Sequence, residues 1–120
     1  GAADEETARV VARSIISSTL VKAAMFGADA NFGRVLCAIG YSGATVDVNK
    51  IDVSFASVAG TVKVCEDGAA VDFSEEKAKA VLLEKEITIL VDLKSGGAGA
   101  VAWGCDLTYD YVRINGAYRT

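Results

Sequence analysis

Residues Lys50–Phe73 read KIDVSFASVAGTVKVCEDGAAVDF, and their periodicity decides the fold class. Ile51, Val53 and Phe55 alternate with Asp52 and Ser54, which is the two-residue period of a half-buried strand. The stretch from Gly60 to Phe73 reads as a hairpin that turns at Asp67-Gly68, because an Asp-Gly pair accepts the positive φ angles of a tight hairpin turn. The period then changes. Ser74 can cap EEKAKAVLLEK, a helix with Ala78, Val81 and Leu82 inward and Lys85 at its C-terminal end.

Working outward, Asp4 is placed to cap a helix with Glu5 and Glu6 in its first turn. Ala8, Val11, Ala12, Ile15 and Ile16 form its apolar face, and Ser17, Ser18 and Thr19 end it. LVKAAMF, Leu20 to Phe26, reads as a strand. A loop, GADAN, leads to a short helix capped by Asn31, with Val35, Leu36 and Ile39 inward and Gly40 and Gly43 as stop signals. EITILVDL is a central-strand candidate rich in β-branched residues, and AVAWGC is its pairing strand after the SGGAG turn. Asp106 caps a last helix with Leu107, Tyr111 and Ile114 as its stripe. The expected architecture is one α+β domain over residues 1–120, a mixed or antiparallel sheet with helices on one side.

Composition narrows the chemistry. The chain has 120 residues, is 52% apolar and carries a formal charge of -4, which argues for a globular core and against nucleic acid as partner. No apolar run has the length of a membrane span. There is no histidine, which removes Ser-His and Cys-His nucleophile pairs and the commonest zinc ligand. Cys37, Cys65 and Cys105 are far apart and read as reduced, mostly buried thiols of a cytoplasmic protein. The carboxylates fall on caps, turns and solvent faces and form no metal or paired-acid set. The opening GAADEETAR, without Met, reads as the start of a processed or truncated product.

Two stretches stand out. FGADANFGR (Phe26 to Arg34) places two glycines and Arg34 around an Asn-capped helix start. Its spacing matches neither a Walker loop nor a dinucleotide fingerprint, so a tight turn is the better reading and an anion site the sharper one. The terminal CDLTYDYVRINGAYRT gathers Tyr109, Tyr111, Tyr118, Asn115 and Thr120 at an end where most chains fray; a docked helix explains Leu107, Tyr111 and Ile114 but not the polar residues beyond them.

DANFGRVLCAIGYSG, DFSEEKAKAVL and above all AWGCDLTYDYVRINGAYRT resemble the C-terminal part of ornithine acetyltransferase, also called glutamate N-acetyltransferase. The resemblance runs along the whole chain. Asp29, Ala30, Asn31, Phe32, Gly33 and Arg34 match that family's Asp-(Pro or Ala)-Asn-(Trp or Phe)-Gly-Arg motif, while Gly116 stands where Ala is common. The resemblance implies a ubiquitin-like α/β roll, substrate contacts from Asn115 and Thr120, and a supporting role for Asp29, Asn31 and Arg34. It implies no metal and no cofactor, with acetyl-CoA a second donor in the bifunctional variety. The implied partners are the α chain and the rest of the β chain of a self-cleaving precursor, assembled as αβ units, with N-acetylornithine and glutamate as substrates. The nucleophilic threonine and the oxyanion hole fall outside these residues, and neither Thr7 nor Thr19 has the context to replace it. The implied activity belongs to the intact acyltransferase, and this chain alone is expected to be inactive. The rival readings are a non-catalytic small-metabolite or anion-binding module and a purely structural interaction domain.

Overall fold

The computed structural model describes residues 1–110 together with Arg113 and Ile114. Three helices come first: α1 (Glu5–Ser17), α2 (Thr19–Phe26) and α3 (Phe32–Gly40). A 3-10 turn (Val48–Lys50) leads into β1 (Asp52–Ser57), β2 (Gly60–Glu66) and β3 (Ala69–Ala70), then α4 (Glu75–Leu82) and β4 (Thr88–Asp92). The four strands form one antiparallel sheet in the order β3-β2-β1-β4, so the architecture is α+β.

Each helix begins where a polar side chain satisfies a free N–H. Asp4 Oδ1 accepts from Thr7 N at 2.7 Å, Asn31 Oδ1 from Arg34 N at 3.1 Å and Ser74 Oγ from Lys77 N at 3.1 Å. At the hairpin, Asp67 and Gly68 have φ of 50° and 76°, the pair of positive values that closes a two-residue turn between β2 and β3. Glycine is required there on a second count, since a Cβ on Gly68 would lie 2.4 Å from the carbonyl oxygen of Val48.

The sheet has one apolar and one charged face. Val53 and Phe55 of β1 are fully buried and stand opposite Val91 and Ile89 of β4. The pairing of β1 with β2 shifts between Val53 and Ser54, so Val64 is an extra residue in β2. That bulge turns both Val64 and Cys65 inward, and both are fully buried. α4 covers this face over β1 and β2 through Ala78, Val81 and Leu82. α1 packs on α3, with Val11, Ile15, Val35 and Ile39 in the same core. Ser14 Oγ also donates to the carbonyl of Ala38 at 2.5 Å.

Five expectations need correction. The last helical stretch starts at Tyr109, so Leu107 precedes it and Asp106 lies too far upstream to be its cap. Leu20–Phe26 lies within a helix, not a strand. Ser18 Oγ caps it by accepting from Val21 N at 3.2 Å, and Val21 and Ala24, three apart, are the residues it buries. EITILVDL yields β4, an edge strand rather than a central one. AVAWGC forms no strand; after the Gly96-Gly97 turn, Ala98 instead makes an isolated bridge with Ala2. Lys85 lies beyond the end of α4, which closes at Leu82.

Candidate functional site

The Asp29–Arg34 turn is built by the chain's need to reverse between α2 and α3. Ala28 takes a left-handed conformation with φ of 51°, and Asp29 N returns to the carbonyl of Ala24 at 2.9 Å. Asn31 then works in both directions. Its Oδ1 caps α3, and its Nδ2 donates to Asp29 Oδ2 at 3.2 Å. Arg34 Nη1 donates to the carbonyl of Leu20 at 3.0 Å, which joins the first turn of α3 to the first turn of α2. The three residues singled out in the sequence therefore do converge, in one hydrogen-bonded turn. Part of the Arg34 guanidinium is engaged by protein, which weakens the anion-site reading of this helix start.

α2 is also where the terminal segment attaches. Leu107 N donates to the carbonyl of Lys22 at 3.3 Å. The rings of Phe26 and Tyr109 meet edge to face, with centroids 5.3 Å apart and planes at 88°. One side of α2 thus receives Arg34 from the turn, and other positions of the same helix receive the segment leading to the chain's final residues. Asn115 and Thr120, the substrate-binding candidates, lie outside the described residues, as do Tyr111 and Tyr118. Phe26 and Lys22, the anchors of this segment, were missed in the sequence. The usable signal was Ser18 as a cap followed by Val21 and Ala24 at helical spacing.

A groove of about 820 Å³ opens beside this arrangement, between α1, α2, the end of α4, β4 and residues 98–106. Its walls are largely apolar, with Val11, Ile15, Met25, Ile89 and Trp103 among them. Cys105 lines it and is exposed, and Cys37 is exposed too, so two of the three thiols expected to be buried are not. Cys65 is fully buried beneath the sheet, and burial pushes its thiol pKa up, away from thiolate chemistry. Among the described residues, no three Cys, Asp or Glu side chains come together as a metal site, and no helix is long and apolar enough to cross a membrane.

On the opposite face of the sheet, Asp52 sits between two lysines. Its carboxylate lies 3.1 Å from Lys63 Nζ and 2.9 Å from Lys94 Nζ, and Oδ1 accepts from Asp67 N at 3.0 Å. Glu66 and Asp67 complete the network at 2.9 Å from Lys63 and 2.8 Å from Lys94. Each carboxylate has a cation against it, which is a bracing of β1, β2 and the end of β4 rather than a free acid–base pair.

The ArgJ family model matches residues 1–120. The chain is 58% identical over 116 residues to the arginine biosynthesis bifunctional protein ArgJ of Caldanaerobacter subterraneus subsp. tengcongensis, covering 97% of this chain and 29% of that protein. It is 52% identical over 120 residues to the glutamate N-acetyltransferase of Methanopyrus kandleri, covering 100% of this chain and 31% of that protein. The crystal structure of ArgJ from Bacillus halodurans superposes with a TM-score of 0.83 at 45% identity, over 98% of this chain and 54% of that one. The chain thus spans about three-tenths of the length of the curated relatives it matches. With its full length matched and its fold shared at that identity, the chain belongs to the ArgJ family.

Proposed function

We propose that this chain is the C-terminal, substrate-binding part of a glutamate N-acetyltransferase of arginine biosynthesis, and works only within the larger polypeptide. The observation that carries this reading is the relation, along the whole of this chain and at 52% identity, to a protein named for that activity. In the proposed reaction a threonine outside these residues attacks the acetyl carbonyl of N-acetylornithine through its Oγ. The amide C–N bond breaks, ornithine leaves with the proton on its amine, and an acetyl-threonine ester remains. The α-amine of glutamate then attacks that ester and restores the hydroxyl. Acetyl-CoA is the alternative donor of the bifunctional variety.

This chain's part is to hold substrate. Asn115 offers an amide that donates and accepts, and Thr120 a hydroxyl, to the polar end of an ornithine-like molecule. Asp29, Asn31 and Arg34 act at one remove, by fixing α2 against α3 so that α2 can anchor the terminal segment. The setting is cytoplasmic, in αβ units formed by self-cleavage of the precursor.

Intact mass spectrometry of the family-length protein tests the reading. After incubation with N-acetylornithine, the fragment carrying the nucleophilic threonine should gain the mass of one acetyl group, and glutamate should remove it. Absence of that adduct under turnover would end the acetyl-threonine proposal. The 120-residue chain alone should show no transfer.

A further inference from the structure

β4 ends the sheet on one side with its outer edge open. Among the described residues, no backbone hydrogen bond reaches Thr88–Asp92 from the side away from β1. Alternate residues of an edge strand turn their N–H and C=O groups outward and form a template for another strand. Proteins blunt such edges by brevity, lysine, proline or a bulge. The opposite edge follows that rule, since β3 is only two residues long. β4 does not. It is Thr-Ile-Leu-Val-Asp, five residues in unbroken register with β1, and its one charge stands at the last position.

The surroundings are as unguarded as the edge. The 820 Å³ groove runs beside it, and Leu83 and Trp103 on its walls are 67% and 84% exposed, while Leu90, 46% exposed, alternates onto the Asp92 face. A bare strand edge next to an apolar channel is the receptor for an added strand: backbone groups supply the bonds and the channel takes alternate side chains. The curated relatives are more than three times as long as the part this chain matches, so the same polypeptide has ample length to supply one.

We propose that the edge of β4 and the adjoining groove seat an extended strand from the part of the ArgJ-family polypeptide outside these 120 residues. The inference rests on the reading of this chain as one part of a larger transferase. The incoming strand has apolar residues at alternate positions, which extend the Ile89–Val91 face over the groove. Its intervening residues are polar and lie on the face that carries Asp92.

The test uses the family-length protein. Hydrogen exchange across Thr88–Asp92 should find all of its amides protected like those of β1, which is paired on both sides. Outward amides exchanging more than about tenfold faster than their inward neighbours would show an open edge and overturn the proposal. In parallel, a benzophenone amino acid placed at Leu90 and irradiated should link to a segment of the same polypeptide outside residues 1–120. A link to residues 98–106, a link to a second copy (distinguished by mixing isotope-labelled protein) or no link at all would each overturn it. Acetyl transfer by the unmodified protein separates the two readings. Cross-linking without transfer removes the transferase reading and keeps the docked strand; transfer without cross-linking removes the docked strand alone.

Discussion

Lys94 Nζ lies 2.9 Å from Asp52 Oδ1, so a residue two past the end of β4 is tied to the first residue of β1. The same oxygen accepts the backbone N–H of Asp67 from the hairpin turn. That backbone hydrogen bond first, and then the lysines, hold the Asp52 carboxyl down at about 2, against an ordinary 3.8. A folded-state pKa below the unfolded value means stability that is full above about pH 3.8 and drains away as pH falls toward 2. Lys94 is shifted the other way, upward, so its share is complete below its ordinary 10.5 and is lost only on the alkaline side. Urea midpoints measured from pH 2 to 7 should therefore fall across the acid window, and Asp52→Asn should flatten that fall. A slope unchanged in the variant would show that other carboxylates carry it.

The cap on α3 gives a prediction with a built-in control. Asn31→Ala removes the acceptor for Arg34 N and should cost about 1 kcal/mol. Asn31→Asp keeps an acceptor at the same place and should cost clearly less, even though the contact to Asp29 becomes repulsive. Thermal unfolding of the two variants decides it, and equal losses would remove the cap from the explanation.

At the hairpin the expectation is steric. Gly68→Ala forces a side chain into a left-handed residue and against Val48 O. The backbone term alone is about 1–2 kcal/mol, and the contact adds to it. Asp67→Gly, by contrast, relieves a positive φ at the neighbouring position while leaving the Asp67 N–H bond to Asp52 in place. Chemical denaturation should find Gly68→Ala the more damaging of the two by more than about 1 kcal/mol.

These elements show which parts of the fold were legible. The caps at Asp4, Asn31 and Ser74 and the Asp67-Gly68 turn are local chemistry: a few adjacent residues satisfy or release the backbone by themselves, so a reader of the sequence can find them. Leu20–Phe26 failed because a short apolar run has no decisive period. Leu20 and Phe26 are exposed, and the buried pair, Val21 and Ala24, is too brief a stripe to outvote the overall hydropathy. β4 failed on position, not type. Its β-branched residues announced a strand, but whether a strand is central or at an edge depends on partners far away in the chain. The candidate site divides in the same way. The Asp29–Asn31–Arg34 turn is local and could be anticipated, whereas the use of α2 as the shared platform required Leu20, Lys22 and Phe26 to meet residues that are distant in sequence.

That platform makes Phe26 a positioning residue with a distinctive signature. It touches Tyr109 and no proposed substrate atom, and it is itself partly exposed. Phe26→Ala in the family-length protein should loosen the terminal segment and raise KM for N-acetylornithine, while kcat falls little. Phe26→Tyr keeps the ring and should restore KM. A KM untouched by Phe26→Ala would show that the edge-to-face contact does not govern the segment.

Asn115 provides the most direct test of the substrate proposal. The side chain is small, and the proposed role is one amide directed at a charged or strongly polar group of an ornithine-like molecule. Loss of a hydrogen bond to a charged partner is worth about 1.5–3 kcal/mol, so Asn115→Ala should lower kcat/KM for N-acetylornithine by about 10–150-fold. The thermal midpoint of the protein should stay within about a degree, as expected of a residue whose role is to hold substrate. Asn115→Asp offers the discriminating comparison, because it keeps the size and an acceptor but loses the donor. If the amide donates to a substrate carboxylate, Asn115→Asp should be at least as damaging as alanine; if it accepts from an ammonium, aspartate should retain most of the activity. Steady-state kinetics of the family-length protein with these two variants reads both the existence and the direction of the contact. Wild-type kinetics in both would remove Asn115 from the substrate proposal.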